Sequence, residues 1–307
     1  QVAAAVGCNP AEVVFTSGAT EAAGVLGHPI TGADVLVDQS AHDALWAHSS
    51  MYHWEMKPNG PGHTLAMGLA NSETGVVTRP PEKVDGQWPV GRAAADWLLL
   101  DITQAVGRIP FAFSWSGADM AILTGHKFGG PKGVGALIIR DNLDTDPLSV
   151  GGGQEMGRRS GTENVIGIAG TGAAIEAAMR DLESGVWGQV EKLRNILETG
   201  VEAASKETIL VGKDEARIPN TSCLLTPGWK GETQVMAMDL AGFAVSAGSA
   251  CSSGKVKASR VLMAMGYNEA DAASAIRVSL GPENTEEDVT RFVDVWTDKL
   301  SRHRARG

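Results

Sequence analysis

Apolar positions along this chain come in two textures. In the first half they form short runs, each closing on polar or small residues: Glu12–Phe15, Val35–Val37, Thr64–Ala70, Ala93–Leu100, Met120–Leu123 and Gly135–Ile139. Runs of this length, rich in β-branched and aliphatic residues and bounded by Gly, Pro, Asn or Asp, predict strands. Beyond Gly151-Gly-Gly153 the apolar residues recur at helical spacing. Ile166, Ala169, Ala173, Ala177 and Met179 mark a helix over Val165–Leu182, and Val190, Leu193, Ile196, Leu197 and Val201 another over Val186–Ala204. Further strands are predicted at Thr208–Val211, Thr221–Leu225, Phe243–Ser246 and Ala275–Leu280, and helices at Val2–Val6, Glu232–Leu240 and Ala258–Met265. A closing helix starts at Thr285, whose hydroxyl caps a first turn of Glu286, Glu287 and Asp288. Strands that alternate with helical or loop segments predict an α/β sheet, followed by an α+β second domain. Ligands in such sheets gather at the carboxyl ends of the strands.

Bulk properties narrow the function classes. A chain of 307 residues accommodates two domains. Its net charge of −10 offers no footprint for nucleic acid or an anionic membrane surface. The apolar pieces Trp97–Leu100 and Ala136–Ile139 are strand-sized, far short of a bilayer span. Cys8, Cys223 and Cys251 are too few and too odd in number for a disulfide framework and suit a reducing cytoplasm. No Cys or His pair has zinc-ligand spacing, so no metal is expected. The chain opens at Gln1, in mid-helix, so an N-terminal truncation is expected and targeting stays open.

The candidate chemistry centres on Thr124-Gly-His-Lys-Phe-Gly-Gly-Pro-Lys-Gly-Val-Gly135. Lys127 follows a predicted strand, and five of the eight residues after it are Gly or Pro, the composition of a tight loop in which backbone approaches a bound group. An amine held there loses hydration and becomes nucleophilic. A lysine in a turn is ordinarily a solvated surface group, so its neighbours must decide. Thr16-Ser-Gly-Ala-Thr-Glu21 joins a strand to a helix start and can cradle an anion. His42 and the Asn71–Gly75 turn offer imidazole and amide contacts, and Asp101 with Gln104 lies at a strand end. A reactive lysine, a carboxylate, an imidazole and an anion cradle together match the needs of pyridoxal 5'-phosphate. Cys251 sits among Ser, Gly and Ala, too polar a stretch for a packed core, whereas Cys223 beside Leu224 and Leu225 reads as a buried thiol.

In this order the motifs resemble the cysteine desulfurases of the class V aminotransferase family, in the branch with a long cysteine loop. The resemblance also rests on Gly151-Gly-Gly-Gln-Glu155, Arg159-Ser-Gly-Thr-Glu-Asn164, Ser246-Ala-Gly-Ser-Ala-Cys-Ser-Ser253 and Ile276-Arg-Val-Ser-Leu-Gly281. It implies fold type I of the pyridoxal-phosphate enzymes: a large, mainly parallel-sheet domain over residues 1–165 and a smaller C-terminal domain over 166–307 that carries the cysteine loop. By resemblance, Lys127 attaches the cofactor as a Schiff base, Asp101 pairs with its pyridine nitrogen and Gln104 with its phenolic oxygen. Ala19, Thr20, Thr124 and His126 hold the phosphate, completed by Thr162 of a neighbouring subunit, which implies a homodimer. His42 stacks on the ring and moves protons. Asn71 and Ser72 contact substrate and cofactor, Arg277 clamps the substrate carboxylate, and Cys251 takes the sulfur of L-cysteine and passes it to an acceptor or scaffold protein.

The chain departs from the family in places. Asn71-Ser72 stands where two successive Asn are usual, and serine is the shorter side chain. The intervals from His42 to Asn71 and from Gly75 to Asp101 are short, which predicts trimmed or absent helices on the outer face of the sheet. Two other readings fit the same scaffold: a selenocysteine lyase or class V aminotransferase, and a weakly active paralogue that serves as a binding partner.

Overall fold

The computed structural model describes residues 1–27, 34–50, 62–248 and 258–305. These residues fall into two compact units, one of residues 1–70 and 78–184, the other of residues 71–77 and 185–307.

The first unit opens with α1 (Val2–Val6), β1 (Val13–Thr16) and α2 (Ala19–Ala22). There follow β2 (Val35–Val37), α3 (Asp43–Trp46), β3 (Thr64–Gly68), β4 (Trp88–Val90), β5 (Ala93–Ala95) and β6 (Trp97–Asp101). It closes with α4 (Phe113–Ser116), β7 (Met120–Thr124), β8 (Gly135–Ile139) and the long α5 (Val165–Ser184). Six strands make one sheet in the order β1-β8-β7-β6-β3-β2. β2, β3, β6 and β7 pair in parallel, while β8 runs antiparallel to both β7 and β1. Every residue of β7 and β8 is buried, as an unbroken apolar run must be when both faces of a sheet are covered. One face packs Val14, Val37, Leu45, Leu99, Ile122 and Leu137 into a single cluster. Each such side chain contributes about 1.5–3 kcal/mol on burial.

The expected run Ala93–Leu100 is two strands. Asp96 breaks it: its N–H donates to the His63 carbonyl (2.9 Å) and its carboxylate accepts from Gln87 Nε2 (2.7 Å). Ala93–Ala95 turns away to form a hairpin with Trp88–Val90. Within this fully described stretch no helix lies between Gly75 and Asp101, in line with the short interval in the sequence.

α5 belongs to the first unit, so the division falls after Ser184 and not at residue 165. The physical reason is a face of small residues. A Cβ added at Gly167 would meet Val134 at 2.5 Å, and one at Gly170 would meet Pro131 at 2.7 Å, so the helix backbone lies directly on the glycine-rich loop after Lys127. Gly107 needs its glycine twice over: its φ is +72° and a Cβ there would stand 2.6 Å from that of Ala178.

The second unit holds α6 (Val186–Ala204), β9 (Ile209–Leu210), β10 (Thr221–Leu225), α7 (Gly231–Asp239), β11 (Ser246–Ala247), α8 (Arg260–Ala264), α9 (Glu269–Ala272), β12 (Ala275–Ser279) and α10 (Glu286–Arg304). The strands form an antiparallel sheet in the order β11-β12-β10-β9. Leu193, Leu197, Trp229, Ile276, Phe292 and Trp296 form its core with α6, α7 and α10. Thr285 and Asp288 make the reciprocal capping box that opens α10. The expected strand Phe243–Ser246 shrinks to Ser246–Ala247. Gly242, at φ +85°, closes α7 and the Phe243 N–H bonds the Met238 carbonyl, so Phe243 exits a helix and does not enter a ladder.

Residues 71–77 leave the first unit's chain path to join the second. Val77 N–H donates to Ala216 O (2.7 Å) and Ile218 N–H to Gly75 O (2.8 Å), with Val76 bridged to Arg217 between them.

Candidate functional site

Strand direction assembles the first unit's polar groups. β2, β3, β6 and β7 run the same way, and β1 runs with them because β8 is antiparallel to both β1 and β7. Their carboxyl ends therefore share one edge of the sheet. The register is tight: Gly68 lies opposite Asp101, and Thr16 and Thr124 both lie opposite Gly135. A Cβ at Gly135 would stand 2.6 Å from Gly18 Cα, so only glycine lets the Ser17–Ala19 turn lie on the start of β8.

At this edge Asp101 is buried, and its Oδ1 accepts from the Thr103 N–H at 2.9 Å. Burial raises its pKa, against the hydrogen bonds from Thr103 and the positive charges of His42 and Lys127. A carboxylate so placed is held ionised best by a further cation. His42 caps α3, and its Nδ1 accepts the Ala44 N–H at 3.1 Å. Nδ1 is thus an acceptor, which fixes the orientation of the ring. Lys127 ends the single turn Gly125–Lys127 that follows β7 and is half-buried.

Thr124 Oγ1 donates to the Val134 carbonyl (3.2 Å) and meets His126 Nδ1 at 3.0 Å. Burial lowers the pKa of His126, and the ammonium groups of Lys127 and Lys132 lower it further. Ala19 and Thr20 form the first turn of α2, within the turn that Glu21 fixes: Glu21 Oε2 accepts the Ser17 N–H at 2.6 Å, and Oε1 pairs with Arg159 Nε at 2.9 Å. Burial alone would raise the Glu21 pKa, but the Arg159 and Ser17 hydrogen bonds prevail and hold it low. Gln104 presents its carbonyl to Arg108 Nη1 at 3.0 Å, and Arg108 Nη2 donates to the Lys127 carbonyl. Thr162 is exposed.

The sequence grouped the Asn71–Gly75 turn with these residues in the first domain; the structure builds it into the second unit with Arg277. Asn71 Oδ1 accepts the N–H groups of Glu73 (2.9 Å) and Thr74 (3.0 Å), so its side-chain oxygen holds the turn. Ser72 takes part through its main chain: its carbonyl accepts from Arg277 Nη1 at 2.8 Å. Cys251 lies outside the described residues. Cys223 is fully buried as expected, and burial pushes its thiol up to about 12.

Arg108, Glu21 with Arg159, and Ser246 were not singled out from the sequence. Their roles depend on which carbonyl or charge the fold brings near: Glu21, Arg159 and Ser246 lie inside the quoted motifs and Arg108 directly after one, but nothing local names the partner of any of them.

The fit to pyridoxal phosphate can be judged on these contacts. A buried strand-end carboxylate, a half-buried amine whose charge acts on it, and a threonine–imidazole pair beside a glycine turn are the groups its pyridine nitrogen, aldehyde carbon and phosphate require. The residues fit. Among the described residues no three His, Cys, Asp or Glu side chains could hold a metal ion.

The profile of the family described as aminotransferase class-V matches residues 63–292. A cysteine desulfurase of Cereibacter sphaeroides is 39% identical over 78% of this chain, and the chain spans 60% of that relative's length. A cysteine desulfurase of a Nostoc species is 33% identical, with 99% of this chain and 82% of the relative covered. The solved structure of a NifS-like protein superposes with a TM-score of 0.82 at 29% identity, covering 98% of this chain and 85% of that one. The sheet order, the strand-end cluster and these likenesses agree, and the chain belongs to the class-V aminotransferase family, among the cysteine desulfurases.

Proposed function

We propose that this protein is a pyridoxal-phosphate-dependent cysteine desulfurase that converts L-cysteine to L-alanine and carries the sulfur away as a persulfide of Cys251. The observation that carries the reading is Asp101: a buried strand-end carboxylate on which the charges of His42 and Lys127 act. When bound, the cofactor supplies an electron sink that makes the substrate's Cα–H acidic and weakens its Cβ–S bond. Lys127 anchors the cofactor, then takes the α-proton and returns it. Asp101 holds a proton on the pyridine nitrogen, and Gln104 bonds the phenolic oxygen. His42, whose Nδ1 accepts the Ala44 N–H, would stack on the cofactor ring and assist proton movement. The Ala19-Thr20 turn, Thr124 and His126 bind the phosphate. Asn71 and Ser72 border the substrate, and Arg277 grips its α-carboxylate in the bidentate manner open to arginine alone. The Cys251 thiolate attacks the substrate sulfur. An S–S bond forms, the Cβ–S bond breaks, and its electron pair goes to the carbon that is then protonated to give alanine. The persulfide serves iron–sulfur cluster assembly or another sulfur acceptor.

A second copy of the chain is the natural neighbour for Thr162. Around it Val150 is 89% exposed, Met156 63%, Val165 68% and Ile166 88%, an apolar surface that pairing would cover. The partner copy's phosphate would then receive the Thr162 hydroxyl. Cys8 and Cys223 are both free thiols, in keeping with the cytoplasm, and no helix of the described residues is long and apolar enough to cross a membrane.

The test is to purify the protein with its cofactor and measure sulfide and alanine from L-cysteine in the absence of any keto acid. Equal yields of the two support the reading; a strict keto-acid requirement would make it an aminotransferase instead. Cys251→Ser should keep the cofactor absorbance and lose sulfide release. Full sulfide release by that variant would overturn the assignment of the nucleophile.

A further inference from the structure

The Arg277 side chain lies in a socket of three serines, and its hydrogen bonds can be counted. Nε donates to Ser279 Oγ at 3.2 Å, Nη1 to the Ser72 carbonyl at 2.8 Å, and Nη2 to Ser246 Oγ at 3.2 Å. A guanidinium has five N–H groups. With one on each nitrogen engaged, one remains on each of Nη1 and Nη2, the number a bidentate carboxylate takes. The sheet builds this socket. Arg277 and Ser279 are two apart on β12 and so share a face, and Ser246 is the residue directly opposite Arg277 on β11.

We infer that Ser246 and Ser279 are positioning residues that set the preference for α-amino acids over simple amines, by orienting the Arg277 fork toward a carboxylate. The inference rests on the reading of Arg277 as the carboxylate clamp. The chemistry is specific. An arginine free to rotate about its long stem must lose that freedom when the carboxylate arrives, whereas a fork already fixed at three nitrogens has lost it on folding. The third anchor is a main-chain carbonyl, so residue 72 serves the arginine whatever its side chain, and the replacement of the family's second asparagine by serine leaves this contact intact. Ser246 is the discriminating position, because its hydroxyl is a side-chain contact that a single substitution removes without disturbing the ladder.

The experiment is spectrophotometric titration of the cofactor-loaded protein with two probes that differ only in the carboxylate, L-alanine and ethylamine. Ser246→Ala should weaken L-alanine about tenfold, the scale of one hydrogen bond to a charged group, and leave ethylamine unchanged. Ser246→Thr, which keeps the hydroxyl, should restore L-alanine binding, and Ser246→Ala/Ser279→Ala should weaken it further. Equal weakening of both probes would mean a merely structural role and overturn the inference. So would unchanged L-alanine binding in Ser246→Ala when Arg277→Ala abolishes the preference. If Arg277→Ala itself leaves the preference intact, the carboxylate clamp reading fails, and the serine inference with it.

Discussion

Arg108 donates from Nη2 to the carbonyl of Lys127 and from Nη1 to that of Gln104 (3.0 Å), so one guanidinium ties the lysine's loop to the turn that follows Asp101. Burial lowers its pKa, the mark of a cation placed where desolvation is costly. Arg108→Met leaves both carbonyls without this donor. It is expected to lower stability by about 1–3 kcal/mol. It should also lower kcat/KM for L-cysteine by roughly a hundredfold through misplacement of Lys127. Denaturant unfolding and steady-state kinetics check the two effects separately.

Asp101→Asn keeps the volume of the side chain and removes its charge. Turnover should fall by about a hundredfold or more, the usual scale for loss of a preorganised electrostatic contact. Cofactor attachment through Lys127 should persist, whereas Lys127→Ala should lose the cofactor on gel filtration. Stopped assays and the absorbance of the eluted protein distinguish the two.

Arg217 and Glu198 form a buried bidentate pair (2.6 and 2.8 Å), joined by Ser222 Oγ at 2.7 Å, beside the strand segment that holds residues 75–77. Breaking such a pair costs about 3–5 kcal/mol, so Glu198→Gln should unfold at markedly lower denaturant. Burial alone would raise the Glu198 pKa, but the Arg217 and Ser222 contacts outweigh it and hold the group below its unfolded value of 4.5. A carboxyl depressed in the fold stabilises fully above that value and loses the contribution as pH falls through the folded one. The stability gap between wild type and Glu198→Gln should therefore narrow below pH 4.5, measured by denaturant melts at a series of pH values.

Burial pushes the thiols of Cys8 and Cys223 up to about 12 each. At pH 8 roughly one in ten thousand of such thiols is ionised, so neither should react readily with an alkylating agent. Mass spectrometry after brief iodoacetamide treatment of the native protein should find label on Cys251, with Cys8 and Cys223 modified only after denaturation.

Ser72 reaches Arg277 through its carbonyl, so Ser72→Ala should change KM for L-cysteine by less than about twofold, within the range of surface substitutions. A larger change would assign the hydroxyl a contact of its own.

Strand runs such as Met120–Leu123 and Gly135–Ile139, the apolar face of Val186–Ala204 and the Thr285 cap were all legible in the sequence; Val165–Leu182 was legible as a helix but not in its buried face, since Ile166, Ala169 and Ala173 are exposed and Gly167, Thr171 and Ile175 are buried. Each is dictated by neighbours within a few residues, through side-chain alternation, helical spacing or capping chemistry. The motifs around Thr20, Asp101 and Lys127 were legible for the same reason, because a strand-end polar residue announces itself beside the apolar run that precedes it.

What tertiary structure decided is which of these pieces belong together. Asp96 splits one apolar run in two because its N–H donates to the carbonyl of His63, far back in sequence, and its carboxylate accepts from Gln87. Small residues assign α5 to the first unit by letting it lie against the loop after Lys127. Residues 71–77 join the second unit through a ladder with residues 216–218 that no local pattern foretells. The Arg277 socket likewise exists only because β11 pairs with β12 in one register. Local sequence supplied the motifs; long-range pairing and close packing, whose partners lie far along the chain, fixed which elements carry them.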